Sequence, residues 1–324
     1  MNRNQFTTQV GVELPVVCGP MYPCSNPELV AAVSQWGGMG VIQPLSLVYV
    51  HGYEFREGLN LIKKLTQKPV GLNIITEKSS KIYQDRMKRW LDISLELGVR
   101  FFVTSLGNPS WVVERVKSVG GVVYHDVTRR KWAEKALEAG VHGLIAVNDR
   151  AGGHAGDLGL EKLWNELGHF GVPVLAAGGM STPEQVVQTL KMGYQGVQLG
   201  TRFIATPECT AHMDYKNAIL KATSKDIVLT EKISGVPVSV IQTEYIKRLG
   251  TKASPVARWA LNHPKLKHYM RMVYTLQSLF KLKKSSTKGS RYLDYFQAGK
   301  SVDGIHAIES VETLMKAYQK AWEA

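Results

Sequence analysis

Eight short apolar runs, each followed by a helix-length amphipathic stretch, set the tightest limit on what this chain can fold into. In order they are VVCGPM from Val16, MGVIQP from Met39, PVGLNI from Pro69, FFVTSLG from Phe101, VVYHDV from Val122, GLIAVN from Gly143, PVLAAGG from Pro173 and GVQLGT from Gly196. Most are too apolar and β-branched to keep one face in water, which is the pattern of strands buried on both sides of a parallel sheet. Such alternation builds either a (β/α)8 barrel or a doubly wound sheet. Eight evenly spaced units match barrel closure. The first turn reads GPMYPCSN where a dinucleotide fold needs GxGxxG, which argues against the wound sheet. The expected class is therefore α/β, a TIM barrel.

The intervening segments carry helix punctuation. NPELVAAVSQWGG offers Asn26 as N-cap, Pro27 at the first helical position and glycines at its end. STPEQVVQTLKMG repeats that grammar, with Ser181 and Glu184 spaced as a capping box. After about Thr210 the alternation stops. The chain carries 40 Lys and Arg against 27 Asp and Glu, a net charge of +13. Between Lys216 and Lys300 there are 17 Lys and Arg and only Asp226, Glu231, Glu244 and Asp294 as acids, so the whole excess lies there. The expected organisation is a barrel over 1–215, closed by an amphipathic terminal helix within 305–324, and a basic, mainly helical cap or insertion over 216–304. KLKKSSTKGS is expected to be a mobile loop. Trp259, Tyr269, Tyr274 and Phe280 interleave with the basic residues, but at helical spacing they read as a buried face, so no nucleic acid is expected. Three cysteines without a CxxC, a start lacking a signal-peptide core, and no apolar run near the ~20 residues of a membrane helix point to a cytoplasmic protein with no membrane span. No histidine spacing suggests a metal site.

In a barrel the chemistry lies at the C-terminal strand ends, so the residues closing each run are the candidates. They include Gly19, Pro20, Met21, Gln43, Asn73, His125, Asp126 and the loop from Asn148 to Asp157. AAGGMS after the seventh run and QLGTRF after the eighth put Gly178, Gly179, Gly200 and Thr201 just before helices, where free amides favour phosphate. NDRAGGHAGD after the sixth run carries Ala151, Gly152, Gly153 and His154; its glycines leave room for a planar ligand, and the histidine can serve as base, acid or donor, with Asp157 placed to orient it. Asn73 can both donate to and accept from a ring edge, and His125 can meet a phosphate or a carbonyl.

The blocks GPMYPCSNPELVAAVSQWGGMGVI, KPVGLNI, AGGHAG, PVLAAGGMSTPEQVVQTLKMGYQGVQLGTRFIAT and HMDYKNAILKA, in this order over most of residues 11–221, resemble the FMN-dependent nitronate monooxygenases, formerly 2-nitropropane dioxygenases, and their relatives the FMN enoyl-acyl-carrier-protein reductases. The resemblance implies a cytoplasmic flavoprotein with FMN phosphate at Gly178, Gly179, Gly200 and Thr201, the ring near Met21 and Asn73, and His154 as the catalytic residue beside it. It implies oxidation of alkyl nitronates with O2 to carbonyl compounds and nitrite. The alternative is an NAD(P)H-dependent FMN reductase of enoyl thioesters or quinones, for which the basic segment offers a docking site for acidic carriers. The expected partners are a small anionic or acyl substrate with O2 or NAD(P)H, and a homodimer is allowed. Monooxygenase members of the resembled family typically carry a glutamine before the first-strand glycine or proline, where this chain has Cys18, and a Gln-Gly-x-Glu run before AGGH, and relatives often carry a lysine after the fifth strand. Here the last two places hold Asn148-Asp149-Arg150 and His125.

Overall fold

All eight runs form parallel strands in the computed structural model, which describes residues 3–77, 81–232, 236–253, 263, 283–284 and 295–324. The strands are β1 (Val16–Cys18), β2 (Met39–Ile42), β3 (Val70–Ile75), β4 (Phe101–Ser105), β5 (Val122–Val127), β6 (Gly143–Val147), β7 (Val174–Ala177) and β8 (Gly196–Leu199). Each pairs with the next, and β1 pairs back to β8 with Val17 opposite Gln198, so the barrel is closed. Helices follow most strands: α1 (Gln5–Val10) precedes β1, and α2 (Pro27–Gln35), α3 (Phe55–Leu65), α4 (Lys81–Glu96), α5 (Ser110–Lys117), α6 (Arg130–Glu138), α7 (Leu160–Leu167) and α8 (Pro183–Lys191) form the outer layer. After β8 come α9 (Thr201–Ile204), α10 (Met213–Lys221), α11 (Glu244–Leu249) and α12 (Val311–Glu323).

Two apolar shells follow from strand alternation. Phe6, Val17, Val41, Phe101, Val103, Tyr124, Ile145, Leu175 and Ala177 fill the barrel interior. Cys18, Leu72, Ile74, Phe102, Val123, Val127, Leu144 and Val197 face the helices. Phe6, on α1, plugs the interior from below, edge-on to Phe101 and Tyr124.

Helix starts depart from the simple reading in two places. Asn26 has the extended backbone of an N-cap, but its side chain makes no cap bond. Its amide instead donates to the Glu208 carbonyl (2.8 Å) and accepts from the Thr210 N–H (3.2 Å), tying α2 to the loop after α9. The capping box of α8 is formed by Thr182 and Gln185, one residue later than Ser181 and Glu184. Pro183 at the first helical position fixes Thr182 as the cap.

α12 packs against both α2 and α8, closing the helical layer where the first and last units meet. It buries Val311, Leu314, Met315 and Tyr318, and the Tyr318 hydroxyl donates to the Ser181 carbonyl (2.7 Å). The boundary expected between residues 215 and 216 falls inside α10. Beyond α10 the described residues include an antiparallel pair not anticipated for a mainly helical insertion, β9 (Ile227–Thr230) with β10 (Val238–Ile241). Trp259, Tyr269, Tyr274, Phe280 and all of KLKKSSTKGS except Lys283 and Lys284 lie outside the described residues.

Candidate active site

Closure brings the ends of β6, β7, β8 and β1 side by side, and four sequence-distant turns meet there. Gly178 (φ 113°) and Gly179 (φ 85°) end β7 in the left-handed region that favours glycine. A Cβ on Gly178 would stand 2.4 Å from Asn148 Oδ1 and 2.6 Å from the Ala151 nitrogen, so the β6 loop packs directly on this turn. Asn148 fixes that loop: its amide donates to the Gly178 carbonyl (2.8 Å), and its Oδ1 accepts the Arg150 N–H (2.8 Å). Gly200 is different. Its φ is ordinary and a Cβ there would meet only Met21, with Sδ at 3.4 Å. Among the described residues no protein acceptor meets the backbone N–H of Gly178, Gly179, Gly200 or Thr201. Unpaired amides on adjacent strand ends, beside open space over Gly200, suit a phosphate.

Around this cradle, Gly19 donates its N–H to the Leu199 carbonyl (2.9 Å) and lies so close to Gln198 that a Cβ would be 2.9 Å from its Cγ. Pro20 leads into Met21, whose N–H is held by Ser25 Oγ (2.9 Å) and whose carbonyl accepts the Ser46 hydroxyl (3.1 Å). Asn73 lies on the interior face of β3, between the outward Leu72 and Ile74, and donates to the Val103 carbonyl (3.2 Å). Asp126 Oδ1 and Gln198 Oε1 are buried on interior faces without a hydrogen-bond partner among the described residues. Unpaired buried oxygens of this kind call for a polar ligand at the barrel mouth.

His125 does not join this group. Val123 and Val127, two residues either side, both face the helical layer, so alternation turns His125 outward as well. Its Nδ1 is hydrogen-bonded to Thr104 Oγ1 at 2.8 Å, which also lies 3.1 Å from the Tyr124 carbonyl, so the ring is pinned in the outer layer. Burial pulls its pKa down to about 4. The β5 residue that faces inward is Asp126, and burial pushes its carboxyl up to about 7. Asp126 is among the strand-end residues that the sequence offers, and its inward face follows from the interior position of Tyr124 two residues before it.

His154 stands at the mouth on the glycine loop, with its side chain exposed. Protein mass around it holds its pKa below the ordinary imidazole value, as expected of a residue lining a concavity. Asp157 does not orient it: that carboxylate pairs with Arg129. Gly152 packs on the backbone of Ala298 and Gly299, where a Cβ would meet Gly299 N at 2.9 Å, and the Gly153 carbonyl accepts the Ser239 N–H of β10 (2.7 Å). The Gly299 N–H donates to Thr201 Oγ1 (3.0 Å), and the Lys300 N–H to the Arg150 carbonyl (2.9 Å). Sequence reading did not foresee that residues 239 and 297–303 would wall the site.

Cys18, Cys24 and Cys209 are free and buried. Among the described residues no helix is long and apolar enough to cross a membrane.

The nitronate monooxygenase sequence profile matches residues 3–318. The (3aS,4S,5R,7aS)-5-hydroxy-7a-methyl-1-oxo-octahydro-1H-indene-4-carboxyl-CoA dehydrogenase of Rhodococcus jostii is 29% identical over 248 residues, covering 76% of this chain and 68% of that protein. A probable nitronate monooxygenase of Staphylococcus saprophyticus is 27% identical over 288 residues, covering 76% of this chain and 80% of the relative. FabK from Thermotoga maritima superposes with a TM-score of 0.80 at 25% identity, over 100% of this chain and 97% of that one. A closed barrel with its glycine turns gathered at one rim, matched by that profile over nearly all its length, belongs to the nitronate monooxygenase family of oxidoreductases.

Proposed function

We propose that the protein is an FMN-dependent oxidoreductase that reduces an enoyl thioester of an acidic carrier, coenzyme A or an acyl carrier protein, with electrons from NAD(P)H. The cofactor half of this reading rests on the four unpaired amides at the ends of β7 and β8, with the open space over Gly200. Gly178, Gly179, Gly200 and Thr201 would hold the phosphate, and Met21, Asn73, Gln198 and Asp126 would face the ring. FMN, when bound, supplies two-electron exchange between nicotinamide and substrate.

The observation that carries the substrate half is the tie of two residues of the basic segment to the glycine loop. Residues 216–300 hold the chain's whole charge excess, and Ser239 and Lys300 of that segment are hydrogen-bonded to the glycine loop beside His154. A segment so charged, tied to the rim by those two residues, would attract phosphate-bearing carriers. The CoA substrate named for the Rhodococcus relative supports the same choice, as does the resemblance to the enoyl-acyl-carrier-protein reductases.

The chain's own residues then have definite tasks. His154 is neutral at pH 7 because its pKa is lowered, so its ring N–H can hydrogen-bond the thioester carbonyl and hold a proton there as negative charge develops. Asp126 is poised to be part protonated near neutrality and can donate to an acceptor in the interior. Three free buried cysteines suit a reducing, cytoplasmic setting.

Nitronate oxidation is the second reading, favoured by the Staphylococcus relative and by a neutral His154 that could take a proton from a nitroalkane. An anaerobic assay of NADPH consumption against short enoyl-CoA esters, with oxygen uptake on propyl nitronate measured in parallel, separates the two. Thioester-dependent consumption is expected. Oxygen uptake on nitronate without any nicotinamide response would overturn the thioester assignment.

A further inference from the structure

Arg150 stands immediately before the AGGH loop, beside the cradle. Its side chain lies across Gly179: a Cβ there would be 2.7 Å from Arg150 Nε, 2.8 Å from its Cβ and 2.9 Å from its Cδ. The backbone on either side is pinned, the N–H by Asn148 Oδ1 and the carbonyl by the Lys300 N–H. The residue therefore cannot drift from the β7 turn. Its guanidinium has five donors but only loose partners, the Lys300 carbonyl at 3.2 Å and Asp303 at 3.4 Å from Nη2. Asp303 is itself engaged by the Ser224 N–H at 2.6 Å, so it is a shared partner and both side chains are about 40% exposed. A planar cation with spare donors, held over a turn of unpaired amides, suits bidentate capture of a phosphate.

We propose that Arg150 is a cofactor-holding residue that clamps the FMN phosphate from the β6 side, adding a charge to a cradle otherwise made of backbone amides. The inference rests on the FMN reading above. It also assigns a use to Asn148, which would set the position of the clamp through its bond to the Arg150 N–H.

Comparing FMN with riboflavin, which lacks the phosphate, tests it without any turnover. Kd values for both flavins are measured by fluorescence quenching on the stripped full-length protein, for the native chain, Arg150→Gln, Arg150→Lys and Asp303→Asn. A charge-assisted phosphate contact implies that Arg150→Gln weakens FMN about ten- to hundredfold and leaves riboflavin unchanged, with part of the loss recovered in Arg150→Lys. Asp303→Asn, which removes only the competing acid, should keep FMN affinity or raise it. Equal weakening of both flavins in Arg150→Gln, reproduced by Asp303→Asn, would make Arg150 a latch for the 299–303 segment and overturn the proposal. An unchanged FMN Kd would overturn it too. A native chain that binds neither flavin, or binds both equally, would sink the FMN phosphate reading itself, a result distinct from failure of the clamp.

Discussion

At the scale of single residues, His154 and Asp126 make separate predictions, one for turnover and one for the pH dependence of stability. His154 lines the mouth without a hydrogen-bond partner among the described residues, so it is free to act on a ligand and carries little of the fold. His154→Ala should keep its flavin and lose about a hundredfold in turnover, the scale of general acid–base help. Turnover equal to the native chain would remove it from the mechanism. Asp126 makes the reverse kind of prediction. Its carboxyl is raised by burial from 3.8 to about 7, so the folded chain binds a proton that the unfolded chain has released. Between pH 4 and pH 7 this term lowers stability as pH rises, by up to about 4 kcal/mol for a shift of that size. Asp126→Asn should flatten that slope in urea unfolding of the flavin-free protein, gaining stability at pH 8 and little at pH 5. An unchanged slope would mean that Asp126 has a partner or stays hydrated. Neither the inward face of Asp126 nor the outward turn of His125 could be read from VVYHDV alone, because both are polar and adjacent. Parity is decided by which neighbours reach the barrel interior.

At the scale of elements, the glycine turns after β7 and β8 differ in what a substitution would report. Gly179 has φ 85° and the Arg150 stem against it, so Gly179→Val strains the backbone and displaces Arg150 as well as blocking the cradle. Gly200 has an ordinary φ and open space apart from Met21. Gly200→Ala should therefore fold with near-native melting temperature and bind FMN about tenfold or more weakly, as judged by flavin content after dialysis. Full flavin retention would place the phosphate elsewhere. The short α9 that follows depends on a buried charge. Arg202 is 2% exposed, with Nη2 donating to the Ala205 and Ala307 carbonyls (2.8 and 2.7 Å) and Nη1 3.4 Å from Glu309. It fastens the approach to α12 onto the end of β8. Arg202→Ala should cost about 3–5 kcal/mol, measured by denaturant unfolding, because it leaves buried carbonyls unpaired and a void behind. The strands themselves were legible as apolar runs because parallel strands buried on both faces have no wet side to disguise them. The capping box was legible only to within one residue, and the β9–β10 pair not at all, since IVLT and VSVI stand outside the strand–helix alternation that marks the barrel strands.

At the scale of the whole molecule, the chain's charge excess is confined to residues 216–300, of which Ser239 and Lys300 meet the glycine loop at the barrel rim. The arrangement keeps the two apolar shells intact and leaves Arg150 on a rim loop and His125 on the outer face of β5. It also predicts a salt dependence. If the segment serves to attract acidic carriers, KM for a CoA thioester should rise severalfold as ionic strength goes from about 0.02 to 0.2 M, across which screening shortens from roughly 20 to 7 Å. KM for a small uncharged quinone should stay flat. The closed topology and the location of the site at the strand ends follow from counting strands. The walls contributed by residues 239 and 297–303 do not, because they are brought to the rim by contacts between segments far apart in sequence.

One anaerobic titration of the purified chain, followed by its visible spectrum, decides between thioester reduction and nitronate oxidation. The expected result is a bound flavin that NADPH bleaches and a short enoyl-CoA ester restores, with propyl nitronate leaving the oxidised spectrum unchanged. A flavin bleached by propyl nitronate and indifferent to NADPH would contradict it.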